Sequence, residues 1–429
     1  MNKLEKYTSY KDSGVEWIGE IPEHWTVKRV KILSRVKRGA SPRPIDDPRY
    51  FDDNGEFAWV RIADVTANNH YLKNTVQKLS KLGASLSVKL QPNELFLSIA
   101  GSVGKPMISN IKCCIHDGFV YFPELKFNKE FLYRVFETGR PYVGLGKTGT
   151  QLNLNTDSVG GISIPIPPKD EIDAILYFIN NKTSQIDNAI SQKEKLIELL
   201  KEQKQITINE AVTKGLDKDV ELKNSGVEWI GEIPKHWKVS KLGTCLKPIS
   251  IKNRTELPLL SVTREQGVIL RDVDNTDSNH NFIPDDLSPY KMVEKGQFAM
   301  NKMKAWQGSY GISDYTGIVS PAYYIFELNG IEPTFFHKAI RSSVYVPFFI
   351  KASDGVRIGQ WDLSKSRMKE IPFYIPPTKE EQLQIVEYIE AQTSKIDKAI
   401  NLQQNYITKL KEYKASLIDS VVTGKVRVV

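Results

Sequence analysis

Two stretches of the chain repeat apolar residues at spacings of three and four while proline and glycine are absent for some 45 residues. That periodicity predicts long amphipathic helices. In the first stretch Ile172, Ile179, Ile186 and Leu200 share one heptad position, and Ile190 and Ile197 share the other. In the second, Ile389, Ile396 and Leu410 take the first position and Ile400 and Ile407 the second. Apolar seams of this length on two helices of one chain predict an antiparallel coiled coil that buries both stripes. At 1.5 Å of rise per residue each helix would be about 70 Å long.

The two stretches are copies of one another, displaced by 210 residues. KTSQIDNAI at Lys182 to Ile190 returns as QTSKIDKAI at Gln392 to Ile400, and the polar interruptions stay in register: Thr183 with Thr393, Lys193 with Gln403, Lys204 with Lys414. A second repeat lies upstream of each helix. SGVEWIGEIPEHW at Ser13 to Trp25 recurs as SGVEWIGEIPKHW at Ser225 to Trp237, with one difference and a displacement of 212. Both helices end in similar residues, VTKG at Val212 and VTGK at Val422. The segment after the first helix, LDKDVELKNSGVEW, resembles the N-terminal LEKYTSYKDSGVEW. The N-terminus therefore reads as the continuation of the second helix, as though a ring had been cut at one point. Internal repeats of this kind set the architecture before any local reading does.

Between the repeats lie two globular segments. In the first, Phe57 to Val65 and Glu94 to Gly101 predict strands and Phe127 to Thr138 a helix; in the second, GQFAMNKMKAW, YYIF and PTFFHKAIRSSV follow in the same order. Each segment leaves through a proline-rich strand, ISIPIPP or IPFYIPP. The predicted fold class is α+β: two mixed α/β domains separated by two long antiparallel helices, with a pseudo-twofold internal repeat. The expected boundaries are 1–25 for a segment completing the second repeat, 26–163 for the first domain, and 164–222 for the central helix and connection. Residues 223–237 form the repeated junction, 238–371 the second domain and 372–429 the C-terminal helix.

With 429 residues, 40% of them apolar, the chain can bury substantial cores. Its N-terminus lacks the apolar core of a signal peptide, and no run of apolar residues is long enough to span a membrane, so it reads as soluble and cytoplasmic. Cys113, Cys114 and Cys245 form no CxxC pair and read as small buried apolar residues. The net charge of +8 is unevenly placed. Residues 26–163 hold 20 Lys+Arg against 12 Asp+Glu and residues 238–371 hold 18 against 14, while the remainder holds 21 against 25. A basic excess confined to the two globular domains points to a polyanionic partner, because neutralising phosphates releases counterions.

Catalytic motifs are weak or missing. GLGKTG at Gly144 to Gly149 has dinucleotide-loop spacing but the wrong setting, following a helix-like run and leading into an extended segment. It reads as a loop to lie against a phosphate backbone, as does GSVGK at Gly101 to Lys105. No methyltransferase tetrapeptide, zinc deaminase signature or H-E-x-x-H appears. His24 and His236, next to Trp25 and Trp237 in the repeated segment, read as junction residues rather than ligands.

The doubled SGVEWIGEIPxHW, the exit GTQLNL at Gly149, the IPxPP junction at Pro165 and the TSxID helices at Thr183 and Thr393 resemble the specificity subunits of type I restriction-modification systems over essentially the whole chain. Two departures stand in the second domain, where GQWDLS replaces the Asn-Leu exit and KAWQGSYG replaces the glycine-lysine turn. The resemblance implies two target-recognition domains, each reading one half of a bipartite asymmetric DNA site. It also implies helices that set the spacer and a frame that docks two modification subunits. S-adenosylmethionine, ATP and Mg are expected on the modification subunits and on a separate motor and nuclease subunit, with no cofactor, metal or catalytic residue in this chain. An adenine methyltransferase recognition module and a coiled-coil scaffold are the alternatives. Candidate DNA contacts are Arg43, Arg61, Lys105, Lys147, Thr148 and Gln151 in the first domain, and Arg264, Lys302, Lys304, Gln307, Arg357 and Gln360 in the second. Trp17, Trp25, Trp229 and Trp237 are the candidate docking and junction residues.

Overall fold

A computed structural model of the chain describes residues 5–145, 154–273, 283–357 and 360–428. The chain divides into two compact units: residues 1–192 with 405–429, and residues 193–404. The first long helix is Lys169–Lys214 and the second Lys379–Val422, 46 and 44 residues. Each follows a proline pair with acidic residues in its first turn, Asp170 and Glu171 or Glu380 and Glu381, which favour the positive end of the helix dipole. Each stops at a glycine with φ of +72°, Gly215 or Gly424, a left-handed cap that costs a residue without Cβ least.

Within each unit the helices pair antiparallel. In the first, Ile172, Ile179, Ile186, Ile190 and Ile407 are buried and Leu410 is half-buried. In the second, Ile197 and Ile389 are buried, while Leu200, Ile396 and Ile400 are half-buried. Lys414 Nζ meets Asp187 at 2.7 Å in the first unit, and Lys204 Nζ meets Asp397 at 2.7 Å in the second. Those pairs are the same pair with the helices exchanged, since 187 and 397, like 204 and 414, differ by 210. Lys193 Nζ donates to Gln403 Oε1 at 3.0 Å, joining two positions that are each other's repeat.

The first domain builds two sheets. One has five strands in the order Lys37–Arg38, Phe119–Tyr121, Leu95–Ser98, Pro106–Ser109, Tyr71–Leu72. The other has four, Gln77–Leu79, Phe57–Val60, Cys113–Ile115, Val88–Leu90. Their inner faces bury Val60, Phe96, Met107, Cys113, Ile115 and Phe119, and Cys113 and Cys114 are buried thiols. One expected strand is cut short. Phe57–Val60 is a strand, but Ile62–Ala67 is helical, because Asp64 Oδ2 accepts the Arg61 N–H at 2.9 Å and turns the chain into a cap.

In the second domain a four-stranded sheet runs Leu246–Ile249, Tyr323–Leu328, Phe298–Asn301, Tyr310–Ile312, flanked by the hairpin of Leu260–Thr263 with Gly267–Leu270 and that of Ser353–Arg357 with Gln360–Leu363. Entry and exit are tied together in both domains. Ser163–Ile166 pairs with Thr26–Arg29, and Pro372–Ile375 with Lys238–Lys241, each antiparallel.

Matched helices dock each domain on the long helices of its own unit. Lys129–Glu137 is capped by Asn128 and Pro333–Ile340 by Glu332. Arg134 Nη2 reaches Asn180 Oδ1 at 2.8 Å, and Lys338 Nζ reaches Glu390 at 3.2 Å. Asn180 and Glu390 are again 210 apart. A second anchor follows the same rule, with Arg140 beside Asp419 at 3.9 Å and Ser343 bonded to Asn209 at 2.8 Å.

Junctions and candidate nucleic-acid interface

The repeated segment folds into a clasp on the first turn of a long helix, once in each unit. Glu171 accepts from Trp25 Nε1 at 3.0 Å and from Tyr7 Oη at 2.9 Å, and its other oxygen lies 2.6 Å from His24 Nε2. Glu381 accepts from Trp237 Nε1 at 2.8 Å and contacts His236 Nε2 at 3.1 Å. Both tryptophans are fully buried. The glycine ending the opposite long helix of the same unit presses on the indole: a Cβ at Gly424 would meet Pro22 and lie 2.9 Å from the Trp25 ring, and one at Gly215 would lie 3.3 Å from Trp237. In the first unit the Arg427 N–H also donates to Glu5 O at 2.8 Å, so the N-terminal segment is bonded to the residues after the second helix. Sequence reading found the tryptophans and histidines but missed Glu171 and Glu381. Their shared 210-residue offset, in KDE and KEE after a proline pair, is the signal that would have found them.

Burial alone would raise the Glu171 carboxyl, but donors from His24, Trp25 and Tyr7 outweigh it and hold the group below the usual carboxylate range. A depressed folded pKa contributes stability that is complete above the unfolded value, near 4.3, and disappears as pH falls through the folded value. Glu171→Gln is therefore expected to melt lower than the wild type at pH 7, with the difference closing below about pH 4. Melting curves across that range check it, and a gap independent of pH would contradict it.

The other two candidate tryptophans behave differently. Trp17 is half-buried. Trp229 is 41% exposed, with its Nε1 bonded to Val344 O at 3.1 Å, its ring against Phe348 and Lys351 Nζ 4.3 Å from the ring centre.

In the first domain Arg61 lines a cavity of about 620 Å³, with Trp59, Gln77 and His116 in its wall, and Arg43 lies outside that lining. Arg43 pairs with Asp117, the residue after His116, at 3.0 Å. Burial pushes the His116 imidazole down, and its Nδ1 accepts the Gly118 N–H at 2.8 Å, which leaves the neutral ring a donor at Nε2. The wall thus combines guanidinium, amide and imidazole groups with Trp59, which is 2% exposed. Lys105 lies apart. Its Nζ donates to Asn68 O at 3.0 Å and Thr66 O at 3.4 Å, burial lowers its pKa, and it lines a second cavity of about 740 Å³ between the domain and its helices. Lys147, Thr148 and Gln151, and most of the GLGKTG loop, lie outside the described residues.

In the second domain Lys302, Lys304 and Gln307 share the turn that follows Phe298–Asn301. Lys304 is exposed, and its carbonyl accepts from Gln307 N–H at 3.0 Å and Ser309 N–H at 3.2 Å. Lys302 pairs with Asp362 at 3.1 Å, and Trp306 stacks on Trp361 at 5.1 Å, so the turn is fastened to the 353–363 hairpin. Arg264 stands exposed at the tip of the 260–270 hairpin. The side chains of Arg357 and Gln360 lie outside the described residues. Among the described residues no cluster of metal-ligating side chains occurs, and no helix is long and apolar enough to cross a membrane.

Each unit thus holds a basic α/β domain clasped by a repeated junction to the long helices of its own unit. Residues 22–209 match the family described as the type I restriction modification DNA specificity domain. The putative type I restriction enzyme MjaX specificity subunit of Methanocaldococcus jannaschii is 24% identical over 96% of both chains. The MjaVIII specificity subunit of the same organism is 24% identical over 95% of this chain and 94% of its own. In fold, the chain is similar to one from a structural study of complex assembly and conformational transition of the type I R-M system, with a TM-score of 0.65 and 13% identity, covering 94% of this chain and 98% of the other. The HsdS subunit from Thermoanaerobacter tengcongensis is similar with a TM-score of 0.50 and 14% identity, over 95% and 98% of the two chains. Over residues 22–209 the chain is thus similar to the type I restriction modification DNA specificity domain, and over nearly its whole length it is similar to type I restriction enzyme specificity subunits.

Proposed function

We propose that the two globular domains are target-recognition domains, each reading one half of a bipartite asymmetric DNA site. The long helices fix the spacer between the halves, and the two junctions dock two copies of a modification subunit. The observation that carries this reading is the contrast between frame and interior. Clasps, interhelical ion pairs and domain anchors recur at a 210-residue offset, while the domain interiors differ in sheet arrangement and in the residues they expose. A repeated frame suits two identical partners, and divergent interiors suit two different targets. In this reading the chain supplies recognition alone. Methyl transfer from S-adenosylmethionine and ATP-dependent translocation with Mg belong to the partner subunits.

Recognition divides between phosphate contacts that position a domain and side chains that read base edges in the major groove. Arg43 and Arg61 in the first domain, and Arg264, Lys304 and Gln307 in the second, carry suitable donors for guanine, adenine or phosphate. The test is to express the chain with its modification partner in a methylation-free host and sequence the modified bases. The expected product is methyladenine in both halves of one bipartite motif, and exchange of residues 26–163 for those of a relative should change one half only. An assembled complex that leaves the host DNA unmodified overturns the proposal.

A further inference from the structure

Arg341, a residue no sequence pattern singled out, follows the helix Pro333–Ile340 as its C-cap. Its guanidinium is engaged by main-chain carbonyls from two separate segments. Nη2 donates to Arg264 O at 2.8 Å and Glu265 O at 2.9 Å, at the tip of the 260–270 hairpin. Nη1 donates to Tyr310 O at 2.6 Å and Gly308 O at 3.5 Å, at the end of the turn that carries Lys302, Lys304 and Gln307. The surroundings are shaped for it. Gly267, at φ +75°, lies so close that a Cβ there would sit 3.3 Å from Nη1, and one on Gly311 would sit 3.5 Å from the Arg341 Cδ. The neighbouring His337 accepts the Ile312 N–H through Nδ1 at 3.1 Å, fixing the same strand to the same helix.

This is an unusual use of arginine. A fork of five N–H groups is commonly matched to a carboxylate or phosphate, whereas here neutral dipoles take the donors and the charge remains between the two segments. A lysine cannot span both, because its donors radiate from one atom. The counterpart position in the first domain, counted from the helix caps Asn128 and Glu332, is Glu137, which pairs with Arg134 on its own helix. At that position the first domain has no such clamp among the described residues.

We infer that Arg341 is the positioning residue of the second recognition domain, locking the Arg264 hairpin to the Lys304 and Gln307 turn so that three side chains from two segments address one stretch of duplex DNA. The inference rests on the recognition function proposed for this domain. Arg341 itself touches no base in it; it fixes where Gln307 meets a base edge by holding that turn to the hairpin of Arg264, while Arg264 and Lys304 contact phosphates. Rigid placement of this kind matters for readout because a displaced donor loses its base edge while the backbone contacts survive.

The experiment uses the full chain in complex with its modification partner and duplexes carrying the bipartite motif identified by sequencing, each with one base pair changed in one half. For Arg341→Met, discrimination against changes in the half read by the second domain is expected to fall about tenfold or more, the loss of one well-placed base contact. Discrimination in the other half and the slope of affinity against salt should remain, since no phosphate contact is removed. Arg341→Lys should restore little. If Arg341→Met fails to fold, Gly267→Ala, which crowds the guanidinium, provides the same comparison. Equal loss in both halves, a reduced salt slope, or unchanged discrimination in folded protein overturns the inference. A wild-type complex with no preference for the motif would instead overturn the recognition reading itself.

Discussion

Trp237→Ala is expected to destabilise the second unit by about 3–5 kcal/mol, the usual cost of emptying a large aromatic site in a core. Trp237 is 1% exposed, and its indole lies beside the helix-ending Gly215 and donates to Glu381 in the first turn of the second long helix. Truncation would leave a cavity bounded by backbone at Gly215, where no side chain can lean in. Trp237→Phe isolates the polar part. It keeps most of the ring but leaves Glu381 without its indole donor, at an expected cost of about 1–2 kcal/mol. Urea unfolding gives the totals, and hydrogen exchange gives the location: the alanine variant should lose protection in residues 215–237 and at the start of the second long helix while residues 26–163 keep theirs. Trp25→Ala should produce the same pattern in the first unit. Loss of protection throughout the chain would show that the clasps are not local, and unchanged stability would show that they are dispensable.

These clasps mark how far the sequence could be read. A thirteen-residue segment repeated with one change announces that two places have the same geometry, and long helices are governed by local periodicity, so both were legible. The carboxylate each clasp closes on lies 144 to 147 residues further along, outside any local pattern. The domains were harder. Their strands are two to six residues long and pair across wide separations, as where Cys113–Ile115 joins Phe57–Val60 in parallel, and such pairings depend on side-chain fit rather than propensity. The run from Phe57 to Val65 shows the limit well: its β-branched and aromatic residues favour a strand, yet a carboxylate bond from Asp64 to the Arg61 N–H caps a helix over its second half.

The candidate contact residues show a different limit. Charge and loop position selected Lys105 and Lys304 together, but the structure gives their ammonium groups different surroundings. Lys304 is exposed and forms no ion pair with an acid among the described residues, whereas Lys105 is held by two carbonyls beside the long helices. An ammonium already satisfied within the protein gives up those bonds to meet a phosphate. The substitutions should therefore separate. Joint replacement of Arg264 and Lys304 by alanine is expected to weaken DNA binding for all sequences and to lower the slope of log affinity against log salt by about 2, close to one released counterion for each phosphate contact removed. Lys105→Ala should leave the slope within error of the wild type, and any weakening should be the same at low and high salt, because it would come from a displaced 66–68 segment rather than a lost phosphate contact. Titrations of the assembled complex between about 50 and 200 mM salt distinguish the cases. A slope unchanged by the double substitution would remove Arg264 and Lys304 from the phosphate contacts, and a reduced slope for Lys105→Ala would mean that DNA draws its ammonium away from the Thr66 and Asn68 carbonyls.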